Sequence, residues 1–387
     1  MSTDRIPSSD RRTRAWIEVQ GSAVRRNYHT IRSAAGGIGV IPMVKADGYG
    51  LGAEGVVTAL EAEDPLAWGV AAVEEGTRLR TLGVRRPILV FAPLPPGSYG
   101  EAVAADLTVC LSSLDGLRRL DEAAARHPGG TASFHVEVDT GIGRAGFDWR
   151  RAAEWGPVIV ARQRAGMRWA GCYTHLHSAD EDPSTIAEQW RRLVEVLGGL
   201  SHPREDFMVH VQNSAGALHG GRLASGGYRV DAVRPGVFLY GGSAGPGLPE
   251  PVPVAAVRAR VVLVREAAPG STLGYGATHT ARGPERWATL GIGYGDGLPR
   301  ALGNRGEALI RGRRVPIIGR VSMDMTVVNI SDVDGVEPGD VATLIGESGA
   351  ERITVDEVAG LAGTISYEVL TGFTPRLPRI WMDDGRA

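Results

Sequence analysis

Lys45 stands in the run VKADGYGLG, a primary amine at the end of an apolar stretch and flanked by glycines. Removing such an amine from water lowers its pKa and makes it nucleophilic towards an aldehyde. Taken alone, a solvated lysine at a strand end is the stronger reading of the same residues. Arg144 closes the polar loop Asp139-Thr140-Gly141-Ile142-Gly143-Arg144. From there a guanidinium can grip a carboxylate with two parallel bonds, although an ordinary surface arginine fits such a loop equally well. Arg234-Pro235-Gly236-Val237 can cradle an anion, with Gly236 admitting a phosphate to the backbone and successive amides pointing at it. Arg234 could face the ring nitrogen of a cofactor; a plain turn is the alternative. Asn213–Ser214 offers another phosphate donor, or simply a helix N-cap.

His175 and His177 bracket a strand end, but zinc needs three or four ligands and neither a Cys/His cluster nor HExxH occurs, so no metal is expected. Further along, Tyr275 lies in GYG, Tyr294 in GYGDG and Met323-Asp324 after GRVS. Glycine-flanked tyrosines are more often turn residues with a partly packed ring.

These positions gain meaning from the elements that carry them. Short apolar runs recur at 39–44 (GVIPMV), 67–71, 87–91, 107–111, 134–138, 169–173, 208–211 and 231–233. Between them 53–61, 74–82 and 184–200 repeat apolar residues at helical spacing. Strand alternating with helix predicts parallel βα units, and eight strands suffice to close a (β/α)8 TIM barrel. Lys45, Arg144, His175, Ser214 and Arg234 then all follow strand ends and share one mouth, where active sites of such barrels form. From the Pro/Gly stretch GPGLPEPVPV onward the pattern changes to strands at 256–265, 287–292, 307–310, 315–318, 325–329 and 341–345, an antiparallel β domain. The expected division is a disordered tail over 1–12, a first strand within 13–20 joining the C-terminal domain, a barrel over 21–245 and a mostly-β, β-barrel-like domain over 246–387.

The 387 residues are 43% hydrophobic, carry a net charge of −2 and include 54 glycines without a repeat. Nothing in the charge favours nucleic acid or an anionic membrane. The two cysteines, Cys110 and Cys172, sit in apolar strand-like runs, which excludes a disulfide framework and suits a reducing cytoplasm. The polar 1–12 is not read as a secretory signal, and no apolar run approaches the roughly 20 residues that span a bilayer.

Taken in order, VKADGYGLG, VDTGIGRAGF, THLHSAD, QNSAGAL, DAVRPGVFLYG, LGYG, GIGYGDGLPR, GRVSMDM and TISYEVLTG resemble the motifs of the alanine racemase family, two-domain pyridoxal-phosphate (PLP) enzymes of fold type III. The resemblance covers nearly the whole chain after Arg12. It implies that Lys45 carries the cofactor covalently, that Tyr49, Ser214, Gly236, Val237 and Tyr367 hold its phosphate, and that Arg234 faces its pyridine nitrogen with His175 beside the ring. It implies Tyr275 as a second catalytic base reaching the partner subunit's Lys45, hence a homodimer with shared active sites. On the substrate side it implies Arg144, the backbone N–H of Met323, and Tyr294 and Asp324 nearby. The implied activity is racemisation of a small amino acid, L-alanine to D-alanine for cell wall. A racemase for serine or a basic amino acid, a PLP lyase or aldolase on the same scaffold, and a PLP-carrying binding protein are the alternatives.

One position departs from the family. Where a carbamylated lysine usually orients the loop arginine, this chain has Glu137, and Ile142 replaces the usual methionine. The expectation is that Glu137 supplies a carboxylate directly, in a charge-assisted contact with Arg144.

Overall fold

The computed structural model describes residues 13–163, 166–203 and 206–382; the tail expected over 1–12 lies outside them. The apolar runs become strands buried on both faces, as in Trp68–Val70 and Ile88–Val90. Eight parallel strands neighbour one another in the order 39–40, 232–233, 208–210, 167–173, 132–139, 108–111, 88–90 and 68–70. The two ends of this path meet through a parallel bridge between Met43 and Gly69, so the sheet closes into a barrel. The first strand is shorter than 39–44 because Pro42 has no N–H to give the ladder; single bonds from Ile41 to Val233 and from Met43 to Pro235 continue past it.

Helices at Ala53–Leu60, Val73–Thr81, Leu114–Arg126, Ala152–Arg162 and Ser184–Gly199 wrap the outside. The main core fills the space between strands and helices. Inside the barrel a small separate core gathers Ile41, Ala67, Leu89, Cys110, Tyr173 and Ala232. Both cysteines are free and buried.

In the second half, Ala255–Ala267 pairs antiparallel with 15–19, 285–290 and 341–348 in a nine-stranded sheet. Residues 15–19 also run parallel to 379–381. Two helices that strand periodicity did not announce close the domain, Val355–Ala362 and Ser366–Gly372. The first is capped by the Thr354 hydroxyl, which accepts the Glu357 N–H at 3.0 Å. The second packs on the barrel mouth so tightly that a Cβ at Gly50 would lie 2.4 Å from the Leu370 carbonyl oxygen.

Candidate active site

Directly after Lys45 the chain turns left-handed: Ala46, Asp47, Gly48, Tyr49 and Gly50 all have positive φ, from 52° to 79°. Non-glycine residues avoid this region, and five in a row persist only where neighbours enforce it. Glu75 is the chief restraint. One of its oxygens accepts the Ala46 N–H at 2.6 Å, the other those of Ala71 and Ala72 at 2.7 and 3.2 Å. Asp47 accepts the Ala53 N–H at 3.1 Å. The turn places Lys45 and Tyr49 against one cavity of about 270 Å³ at the C-terminal mouth of the barrel.

Lys45 is half-buried, and burial together with Arg144 and Arg234 holds its amine below the ordinary lysine range. It is the only lysine of a chain with 42 lysines and arginines combined. An arginine cannot lose its proton or attack a carbonyl, so Lys45 is the one basic side chain of the sequence able to act as an amine nucleophile.

One wall of the cavity suits a phosphate. Tyr49 stacks on Tyr240 with ring centres 4.5 Å apart, and Tyr367, from the last helix of the β domain, stands 6.0 Å away. Gly236 lies under the Tyr49 hydroxyl, where any Cβ would come within 2.1 Å of it. The Gly236 N–H donates to Ser214 Oγ at 3.0 Å. Val237, fully buried, opens a short helix over Val237–Tyr240, whose first amides have no acceptor inside it. Asn213 is the N-cap of the helix Ser214–Leu218, accepting the Gly216 N–H at 2.9 Å, so the plain reading of that residue holds beside Ser214 in the cradle.

Arg234 forms the floor. Its guanidinium donates to the Thr174 and Val211 carbonyls at 2.8 and 3.2 Å and to His210 Nδ1 at 2.9 Å, and lies 5.0 Å above the Tyr173 ring. His175 stands 3.5 Å from it, its proton affinity pushed down to about 3 by burial and by Arg234, Arg144 and Lys45. His175 is therefore neutral.

Glu137 and Arg144 both line this cavity, but the expected contact between them is not made. Among the described residues no ion pair within 4.0 Å joins them. The carboxylate instead accepts the Ser112 hydroxyl at 2.8 Å. Its stem runs close past Gly146, where a Cβ would lie 3.0 Å from Glu137 Cγ. A two-carbon stem held there leaves the carboxyl inside the barrel, short of an exposed loop arginine. Burial raises its pKa.

Within one chain Tyr275, Tyr294, Met323 and Asp324 do not line the cavity. Tyr275 tips a hairpin between 272–273 and 279–280, flanked by Gly274 and Gly276 at φ 69° and 74°, and is 71% exposed. Tyr294 and Met323 are exposed neighbours, the Tyr294 N–H bonding to Ser322 O and the Gly295 N–H to Met323 O. Asp324 pairs with Arg376 at 2.5 Å. Residues that sequence reading passed over are Glu75, Tyr240, His210 and His135. The histidines had one signal, a polar residue inside an apolar strand (FHVEV, MVHV).

The family profile "Alanine racemase, N-terminal domain" matches residues 19–244, and "Alanine racemase, C-terminal domain" matches 254–381. The chain is 38% identical to an alanine racemase of Symbiobacterium thermophilum, covering 95% of this chain and 96% of that protein. It is 34% identical to one of Halothermothrix orenii, covering 94% and 96%. The crystal structure of alanine racemase from D-cycloserine-producing Streptomyces lavendulae superposes with a TM-score of 0.87 at 30% identity, covering 96% and 97%. That of Bartonella henselae, described with covalently bound pyridoxal phosphate, gives 0.84 at 27% identity, covering 95% and 99%. With matched profiles over both halves and relatives aligned end to end, the chain belongs to the alanine racemase family.

Proposed function

We infer that this protein interconverts L- and D-alanine with pyridoxal 5′-phosphate as its cofactor. The observation that carries the reading is the chain's one lysine, its proton affinity lowered, at a barrel mouth between an anion cradle and a buried arginine. The residues fit the cofactor. Gly236 is cleared of side chain, Ser214, Tyr49, Tyr367 and the first amides after Gly236 offer phosphate donors, and Lys45 is placed to hold an aldehyde. When bound, the cofactor serves as an electron sink that acidifies the substrate Cα–H.

The chain's own groups do the rest. Arg234 carries only donors and is fixed by three acceptors, so it presents a cation where a ring nitrogen would otherwise gain a proton. Arg144 and the backbone N–H of the partner subunit's Met323 bind the substrate carboxylate, with the partner's Tyr294 and the partner's Asp324 beside them. Inversion requires one group to remove a proton and another to return one on the opposite face. Lys45 Nζ and the hydroxyl of the partner subunit's Tyr275 fill those roles.

A homodimer follows from this assignment, because Tyr275 points into solvent in one chain. Met323, Met325, Ile365 and Tyr367 are also exposed apolar side chains that a partner could cover. The division at about residue 245 into cofactor-holding barrel and β domain belongs to the same reading, as does a cytoplasmic location. Among the described residues no helix is long and apolar enough to cross a membrane.

The test is incubation of PLP-loaded protein with L-alanine, then D-alanine, in D₂O with chiral analysis. Cα deuteration with appearance of the opposite enantiomer is the expected result. Deuteration without inversion, or release of an aldehyde, would overturn it.

A further inference from the structure

The hydrogen bonds of Arg234 do not end at the active site. Arginine has donors only, so His210 Nδ1 must accept from it, and the proton of His210 sits on Nε2. That Nε2–H meets His135 Nδ1 at 2.7 Å. His135 therefore accepts on Nδ1 and carries its own proton on Nε2. Both rings are neutral, His135 pushed down to about 3 and His210 well below its usual range by burial and by Arg234. The relay runs down the inside of the barrel. A glycine at 171 makes room for it, since a Cβ there would lie 2.5 Å from His135 Cε1.

At its lower end the relay opens on a second cavity of about 250 Å³, ringed by the beginnings of the barrel strands. His135 is only 3% exposed, yet it lines this cavity, and among the described residues its Nε2–H has no hydrogen-bond partner. The Nε2 atom is not sealed from water, so the cavity reaches it and its N–H is open to an acceptor held there. The surrounding charge says what that would be. Arg85 and Arg168, both exposed, line the cavity together with the half-buried Thr108 and Ser133. The carboxylates of Asp106 and Asp206 also reach the rim, but both side chains lie almost wholly in solvent. Asp206 holds Arg168 only loosely, at 3.6 Å. Arg80 is committed to four backbone carbonyls and serves as wall.

We propose that the N-terminal floor of the barrel is a binding site for a small oxyanion, held by Arg85, Arg168 and the Nε2–H of His135 and joined to Arg234 through the two-histidine relay. The cavity is smaller than the roughly 300 Å³ at which pockets begin to take drug-sized ligands. A phosphate or simple carboxylate fits it. An anion accepting the His135 proton polarises each bond above it in turn, so occupancy at the floor reaches the arginine of the active site.

The experiment titrates inorganic phosphate into the PLP-loaded protein by calorimetry, while histidine ring ¹⁵N resonances are followed in protein labelled at histidine. Phosphate is expected to bind and to move the signals of both His135 and His210. In R85A/R168A affinity falls at least tenfold and neither signal moves. The variant H135F keeps the arginines and loses the donor, and it too weakens binding. Phosphate binding equally well to R85A/R168A, or binding that leaves the His135 resonance in place, overturns the proposal. These readouts do not depend on turnover, so they stand or fall separately from the assigned reaction.

Discussion

At the scale of single residues the account turns on which groups the fold dries out. Lys45 loses water and faces two guanidinium groups, so its amine is free of its proton at a lower pH than the 10.5 of an ordinary lysine. Because it is the chain's only lysine, the effect can be read directly. In protein stripped of cofactor, borohydride trapping of an added aldehyde, mapped by mass spectrometry, should show a pH midpoint at Lys45 clearly below that value. A midpoint at or above it would mean the site does not desolvate the amine. Gly236 makes a second residue-scale prediction. In G236A the new Cβ collides with the Tyr49 hydroxyl, and cofactor affinity, followed by absorbance on dialysis, should fall at least tenfold. Neither residue was distinctive alone, since a solvated lysine and a plain turn fit the same local sequence; only the ordered set of motifs singled them out. The motifs did not carry the geometry of Glu137. Its stem length was readable, but its close approach to Gly146 is a tertiary fact.

At the scale of elements, two strands and one hairpin matter most. The barrel runs were legible from hydrophobic periodicity, and with them the convergence of five strand ends on one mouth. The first strand was overread, since Pro42 cuts its ladder short. The helices at 355–362 and 366–372 escaped notice because their eight and seven residues give too few turns for a period to show. The strands carrying His135 and His210 make a prediction about pH. Both rings are neutral when folded, His135 holding out to about pH 3, whereas an exposed histidine titrates near 6.5. A depressed folded pKa gives stability that is complete above the unfolded value and lost as pH falls. The thermal midpoint should therefore decline as pH drops below about 6.5, and H135Q should flatten that decline. The glycine-flanked hairpin makes another. If Tyr275 serves one face of the substrate, Y275F should slow L-to-D and D-to-L conversion by unequal factors in single-turnover measurements from each enantiomer. Equal, small losses would argue that a single base serves both directions.

At the scale of the whole molecule, the β domain serves the barrel in two ways. It delivers Tyr367 to the cavity of its own chain, and in the proposed dimer it would hold the loops that reach a neighbour. Asp296, with no exposure, accepts Arg14 at 3.0 Å and pairs with Arg376 at 3.3 Å, and Arg376 goes on to Asp324. Arg14 immediately precedes the strand 15–19, so this cluster ties the start of the described chain to the Tyr294 and Met323 loops. D296A should cost about 2 kcal/mol in denaturant unfolding, since both arginines can return to water. It should also weaken binding of substrate more than it slows turnover.

The central claim is that a working site needs Lys45 from one subunit and Tyr275 from its partner. It is tested most directly by mixing two impaired variants, K45A and Y275F, under conditions where subunits exchange. A heterodimer then holds one site with both groups and one with neither, and random pairing should restore roughly a quarter of wild-type racemase activity. Activity in the mixture no greater than the sum of the separate variants, with exchange verified by mass spectrometry, would contradict the account.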